Sequence, residues 1–145
     1  MLDSSKVELI DKAIYDISVK GVEIQGSISE FLKNFKLSTQ QYHVLVILRE
    51  SGTDGLPSLE ISKRLVNKLP DITRIIDRMV HTGLVRRNRS AADRRVVNVK
   101  ITDHGNRILS EIEPPIRNIK RQYFTKFEEG EIQGLISTLR LIKAN

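Results

Sequence analysis

The 145-residue chain suits one compact domain, or one domain with an appended helical module, and it can bury a core without disulfides or metal. It has no cysteine, which excludes thiol redox chemistry, cysteine-ligated zinc and a cysteine nucleophile, and fits a reducing compartment. Its net charge of +6 is concentrated: residues 56–100 carry eleven basic against four acidic side chains, a net +7, and the remainder is near neutral at −1, which points to a polyanionic partner rather than a solvated basic face.

The opening MLDSSKVELID has an acid at position 3 and no apolar core of a leader peptide. The longest apolar run, VLVIL at 44–48, is far too short to span a bilayer, so a cytoplasmic protein with no membrane segment is expected. Val7, Ile10, Ile14, Ile17, Gly21, Ile24, Ile28, Phe31 and Phe35 follow one another at alternating spacings of three and four. That is a heptad seam on a long helix, a narrow stripe to be buried against other helices, with Gly21 permitting close approach.

Ser38 and Gln41 form a capping box ahead of YHVLVIL, and the helix they start ends near SGTDG at 51–55. Pro57 and Ser58 open a short helix, SLEISKRL, with Ser58 as its N-cap. After VNK, the stretch LPDITRIIDRMVHT reads as a helix ending at Gly83. Pro70 must lie in its first turn, which puts the start near Asn67 or Lys68. Residues 84–87 and 96–101 read as two strands joined by an exposed loop at 88–95. In the second strand Val97, Val99 and Ile101 alternate with Val96, Asn98 and Lys100, the pattern of a half-buried strand. Thr102 can cap a further helix through Ile108, Ile112, Ile116, Ile119 and Tyr123, which Pro114–Pro115 must kink or interrupt. A second seam, Ile132, Leu135, Leu139 and Ile142, closes the chain, and there is no low-complexity tract or internal repeat.

Helix, turn, helix and then a hairpin with a charged tip is the order of a winged helix-turn-helix. On the 67–82 helix Leu69, Ile72, Ile75, Ile76 and Met79 share one side, and Pro70, Arg74, Asp77, Arg78 and His81 the other. A recognition helix needs that division, one face anchored and the other in the major groove. Arg74 is the best base reader, since a guanidinium can bond guanine O6 and N7 together, and Thr73 at the flank can reach a base or a phosphate. The competing reading pairs Arg74 with Asp77 and leaves Arg78 solvated. In the loop, SAADRRVVNVKIT holds Arg94 and Arg95 beside Asp93. Such a loop would meet the minor groove next to a groove-bound helix, where narrow A·T tracts attract arginine, and Asp93 would brace a guanidinium. The competing reading is a solvated turn whose surface ion pair contributes little.

The stretch LPDITRIIDRMVHTGLVRRNRSAADRRVVNVKITDHG, about a quarter of the chain, carries T-R-x-x-D-R, G-L-V-x-R, and D-R-R followed by V-x-I-T-x-x-G. In these motifs the sequence resembles the MarR family of bacterial and archaeal transcription regulators. The resemblance implies a mostly α fold with a small β wing. Residues 1–35 would form an N-terminal dimerisation helix, 36–101 a winged helix-turn-helix, and 102–145 C-terminal dimerisation helices. It implies that Arg95 enters a minor groove and Asp93 steadies it. The expected DNA-binding set is Ser58, Lys68, Pro70, Asp71, Thr73, Arg74, Arg78, Arg94 and Arg95, with Asp93 as wing support. The expected partners are double-stranded DNA with a pseudo-palindromic site, a second copy of the chain, and a small-molecule effector of unknown identity, often an aromatic acid or other amphipath in this family. Pro70–Asp71 depart from the small or hydroxyl residues that approach DNA most easily, and Asp71 near phosphate is unfavourable unless it is paired or reads a cytosine amine.

An enzyme is the rival of a different class. His43, His81 and His104 fall on three separate elements, and there is no His-Glu-x-x-His, no P-loop and no nucleophile elbow, so no catalytic residue, metal or cofactor is expected. A winged helix used only for protein contact is the other rival. It would not need the +7 segment, and its binding would depend weakly on salt.

Overall fold

The computed structural model describes residues 3–66 and 71–144. Helix α1 spans Ser4–Leu32 and runs into a 3-10 turn at Lys33–Phe35; α2 is Thr39–Glu50, β1 Leu56–Pro57, α3 Ser58–Arg64 and α4 Ile72–His81. Strands β2, Val85–Arg89, and β3, Val97–Ile101, form a hairpin, followed by α5, Asp103–Gln122, and α6, Glu129–Leu141. The architecture is therefore mostly helical with a small antiparallel sheet.

The heptad seam of α1 divides in two. Ile28 and Leu32 are buried and Ile24, Phe31 and Phe35 pack against the same core, whereas Val7, Ile10, Ile14 and Ile17 are 41–59% exposed. Lys36 adopts a left-handed conformation, φ 54°, and turns the chain into α2. There Ser38 Oγ accepts from the Gln41 N–H at 3.2 Å, and the Ser38 N–H donates to Gln41 Oε1 at 2.9 Å. With its N-terminus satisfied, α2 buries Tyr42, Val44, Leu45 and Leu48 in the centre of the molecule.

Several elements depart from the sequence reading; β2 runs on to Arg89, two residues past its expected end. Ser58 is the first residue of α3 rather than its cap: Pro57 occupies the capping position and no side chain bonds the helix end. Helix α4 is described from Ile72, where Asp71 caps it by accepting from the Arg74 N–H at 3.1 Å; the expected start near Asn67 or Lys68, with Leu69 and Pro70, lies outside the described residues. Strand β1, two residues long, pairs with β3 and has no periodic signal of its own. Its Pro57 lacks an N–H, which suits an edge strand.

Helix α4 ends as expected. Gly83 sits at φ 74°, and the Leu84 N–H reaches back to the Met79 carbonyl at 2.9 Å, so a residue tolerant of the left-handed region is needed there. The sheet order is β1-β3-β2, with Val85 opposite Ile101 and Arg87 opposite Val99. The simple alternation along β3 fails at its first two residues: Val97 is 48% exposed and Asn98 only 8%. The turn before β1 supplies the reason, since the Asp54 carbonyl accepts from Asn98 Nδ2 at 3.0 Å and draws that side chain inward.

Thr102 caps α5, accepting from the Gly105 N–H at 3.0 Å and donating to the Gly83 carbonyl at 2.6 Å. Pro114–Pro115 do not interrupt this helix, which continues to Gln122. Each proline forfeits an i to i−4 bond, yet Leu109, Ile112 and Ile116 are buried on both sides of the pair, and Glu113 pairs with Arg49 of α2. Tertiary packing outweighs the local penalty of roughly 3 kcal/mol or more per interior proline. At its end, Tyr123 lies 2.5 Å from Ser27 Oγ and donates to the Glu23 carbonyl at 3.2 Å, tying α5 to α1. Helix α6 buries none of its apolar residues; Leu135, Ile136, Leu139 and Leu141 are all exposed.

Candidate nucleic-acid interface

Helix α4 is amphipathic in the sense a reading helix requires. Ile76 and Met79 are buried and Ile72 and Ile75 pack against the core, so the helix is anchored from behind. Thr73, Arg74, Asp77, Arg78 and His81 face solvent. Arg74 pairs with Asp71, Nε to Oδ2 at 3.3 Å, and not with Asp77. Both side chains are largely exposed, so this pair is weak and can be exchanged for another anion.

Asp77 instead accepts from Arg87 Nη2 at 2.5 Å, which clamps β2 to the middle of α4. Sequence reasoning missed this tie. Its signal was the final arginine of G-L-V-x-R together with the aspartate of T-R-x-x-D-R, two motif positions that only the fold brings into contact. Arg87 and Asp77 thus link the hairpin to the exposed side of the helix by a partly exposed ion pair.

The hairpin tip is an ordered turn rather than a loose loop. Ser90 Oγ accepts from the Ala92 N–H at 3.2 Å, the Ser90 N–H donates to the Val96 carbonyl at 2.8 Å, and the Val96 N–H to the Asp93 carbonyl at 3.0 Å. Asp93 braces Arg95 chiefly through the backbone: its Oδ1 accepts from the Arg95 N–H at 3.0 Å, while the Arg95 Nε stands 3.8 Å away. That refines the expected guanidinium brace. The Arg95 side chain is 95% exposed, and Arg94 is exposed and forms no ion pair among the described residues. Ser58 is half-buried at the start of α3, while Lys68 and Pro70 fall outside the described residues.

The fold also brings two lysines from outside the basic segment beside α4, one of them, Lys33, already paired with Glu30. Lys33 and Lys36, from the turn after α1, line an open groove together with Arg78 and His81 of α4. A separate apolar cavity of about 590 Å³ lies between α1 and α6, lined by Ile17, Ile24, Phe124, Phe127, Leu135 and Leu139. His43, His81 and His104 sit on α2, α4 and α5, and among the described residues no three histidine or carboxylate side chains converge on a common point. No helix of the described chain is long and apolar enough to cross a membrane.

Comparison with known proteins agrees with this geometry. The model of the transcriptional regulator SarA/Rot family matches residues 27–112. The HTH-type transcriptional repressor IacR of Pseudomonas putida is 31% identical over 119 residues, 82% of this chain and 70% of that protein. A MarR transcription factor from Planctomyces limnophilus is 33% identical, with a TM-score of 0.61 and 98% of each chain covered. The Staphylococcus aureus MepR–DNA complex, 21% identical, shares the fold at a TM-score of 0.77 over 87% of this chain and 92% of that one. An anchored reading helix, a hairpin clamped to it, and identity at this level along nearly the full chain lead to one conclusion: the chain belongs to the MarR family of DNA-binding winged helix-turn-helix transcription regulators.

Proposed function

We propose that this regulator is a repressor that binds a pseudo-palindromic operator as a homodimer, with α4 in the major groove and the hairpin tip in the adjacent minor groove. The observation that carries the reading is the Arg87–Asp77 clamp, which holds the exposed arginines of the tip in a defined relation to the exposed face of α4. Arg74 reads a base edge, Thr73 and Arg78 flank it, and Ser58 meets a phosphate at the start of α3. Asp71, the cap of α4, belongs to the same contact set, and Lys68 and Pro70, which lie outside the described residues, are proposed with it from the sequence alone. Arg94 and Arg95 enter the minor groove, with Asp93 fixing the backbone between them. MepR, of the same fold, has been crystallised with DNA.

Residues 36–101 act as the reading domain, and residues 1–35 and 102–145 join two copies. The exposed seam of α1 and the unburied apolar side of α6 support this arrangement, since leaving both in water forfeits about 25 cal/mol per Å² of apolar surface. A small amphipathic effector acts on the dimer, and the protein works in the cytoplasm without catalysis.

The test combines sedimentation with selection of DNA from a random pool. The expected result is a dimer at micromolar concentration and inverted half-sites about one helical turn, ~10 base pairs, apart. A stable monomer, or selected DNA without inverted symmetry, overturns the operator reading; no enrichment at all favours a protein-contact module.

A further inference from the structure

A cavity of about 370 Å³ opens at the base of the hairpin, between the end of α2, the turn after it, β2, β3 and the start of α5. Its polar wall is made of Arg49, Thr53, Arg86, Lys100 and Asn106, and Leu48 and Ile101 supply apolar surface. No acidic residue lines it. Arg49 is already matched by Glu113. Arg86 and Lys100 are not: among the described residues neither has an ion pair or a side-chain hydrogen bond, although the two stand directly opposite each other across β2 and β3. Like charges placed so are destabilising. Arg87, the next residue along β2, turns toward Asp77 of α4, so strand alternation sends Arg86 to the other face of the sheet, away from the reading helix. The charge of Arg86 is thus not accounted for by the proposed DNA contacts.

The geometry points to a binding site for a phosphate group carried by a small molecule. Two uncompensated cations match a phosphate monoester, which carries about −1.5 to −2 near neutral pH, better than they match one carboxylate. The Arg86 guanidinium offers a two-pronged donor, Lys100 an ammonium, and Thr53 and Asn106 further neutral donors, the set that satisfies several phosphate oxygens at once. The volume exceeds that of bare phosphate and lies within the range of ordinary ligand pockets, ~300–1,000 Å³, so the Leu48 and Ile101 wall has room for the carbon-bearing part. An occupant would join the hairpin base to α2 and α5 while relieving the Arg86–Lys100 repulsion. The site itself does not depend on the operator reading.

The experiment is an amide-resolved NMR titration of the full chain without DNA, using inorganic phosphate against chloride at equal ionic strength. Saturable shifts are expected at Thr53, Arg86, Lys100 and Asn106. Arg86→Gln and Lys100→Gln should each weaken phosphate binding by about tenfold or more, the loss of one charge-assisted hydrogen bond. Arg89→Gln removes the same charge from the same hairpin outside the cavity and should leave affinity unchanged. Shifts that do not saturate, that centre on Arg74, Arg94 and Arg95, or that weaken equally in Arg89→Gln overturn the site. If those shifts are absent and Arg86→Gln instead lowers the salt dependence of DNA binding, the two cations serve the DNA backbone. A protein that binds phosphate here but selects no DNA would separate this site from the operator reading.

Discussion

Asp71 holds two roles that a pair of substitutions can separate. Its Oδ1 caps α4 by accepting from the Arg74 N–H at 3.1 Å, and its Oδ2 stands 3.3 Å from Arg74 Nε. Helix α4 has only ten residues, so its first turn is a large share of it. Losing an acidic cap costs about 1 kcal/mol, and the exposed ion pair adds at most a few tenths. Asp71→Ala should therefore destabilise the protein by about 1–1.5 kcal/mol, while Asp71→Asn, which keeps a capping oxygen, should stay within ~0.5 kcal/mol of the parent. On DNA the order changes. Removing a carboxylate from a phosphate-facing surface and releasing Arg74 should raise the affinity of Asp71→Asn several-fold at low salt, a gain that shrinks as salt screens it. Urea unfolding measures the first effect and fluorescence anisotropy over a salt series the second. Equal destabilisation by both variants would refute the cap as the source. Weaker binding by Asp71→Asn with relaxed preference at one base pair would mean that Asp71 reads a cytosine amine, and the charge argument would fall.

Arg74→Ala should cost roughly 1–3 kcal/mol of DNA binding and relax preference at one position per half-site, whereas Arg95→Ala should weaken binding and erode an A·T preference at the flanks, with Asp93→Ala a milder form of it. Selected-sequence profiles at one salt concentration check this, and an Arg95→Ala profile of unchanged shape would reduce the hairpin tip to a phosphate contact. His43 is half-buried, and its burial, with Lys120 nearby, lowers its pKa below the ordinary 6.5. The unfolded chain then binds the proton more readily, so stability should be complete above about pH 6.5 and decline as pH falls below it; His43→Gln should flatten this decline in urea midpoints compared at about pH 7.5 and about pH 5.5. A Cβ on Gly105 would stand 2.2 Å from the Leu84 carbonyl oxygen, so Gly105→Ala should lower stability by about 1–3 kcal/mol despite the better helix propensity of alanine, as thermal unfolding would register.

Signals confined to a few neighbouring residues were legible without coordinates. The Ser38–Gln41 box, the Thr102 cap and the Gly83 terminus each satisfy backbone groups within one turn, so local residue order decides them. The second half of the α1 seam and the amphipathic division of α4 were equally readable, because helical periodicity turns spacing directly into faces. Of the candidate interface, the exposed side of α4 and the charged tip were visible in this way. What joins them was not: Asp77 and Arg87 are ten residues apart on different elements, and nothing in their spacing says that they touch. Strand β1 exists because β3 offers a free edge to a segment too short to form any pattern. Asn98 turns inward because the Asp54 carbonyl, distant in sequence, accepts its amide. Helix α5 passes through Pro114–Pro115 because packing before and after the pair outweighs the hydrogen bonds they forfeit. Contacts between elements are set by loop closure and core packing, whose energies depend on residues far apart in the chain, and only the tertiary structure decides those.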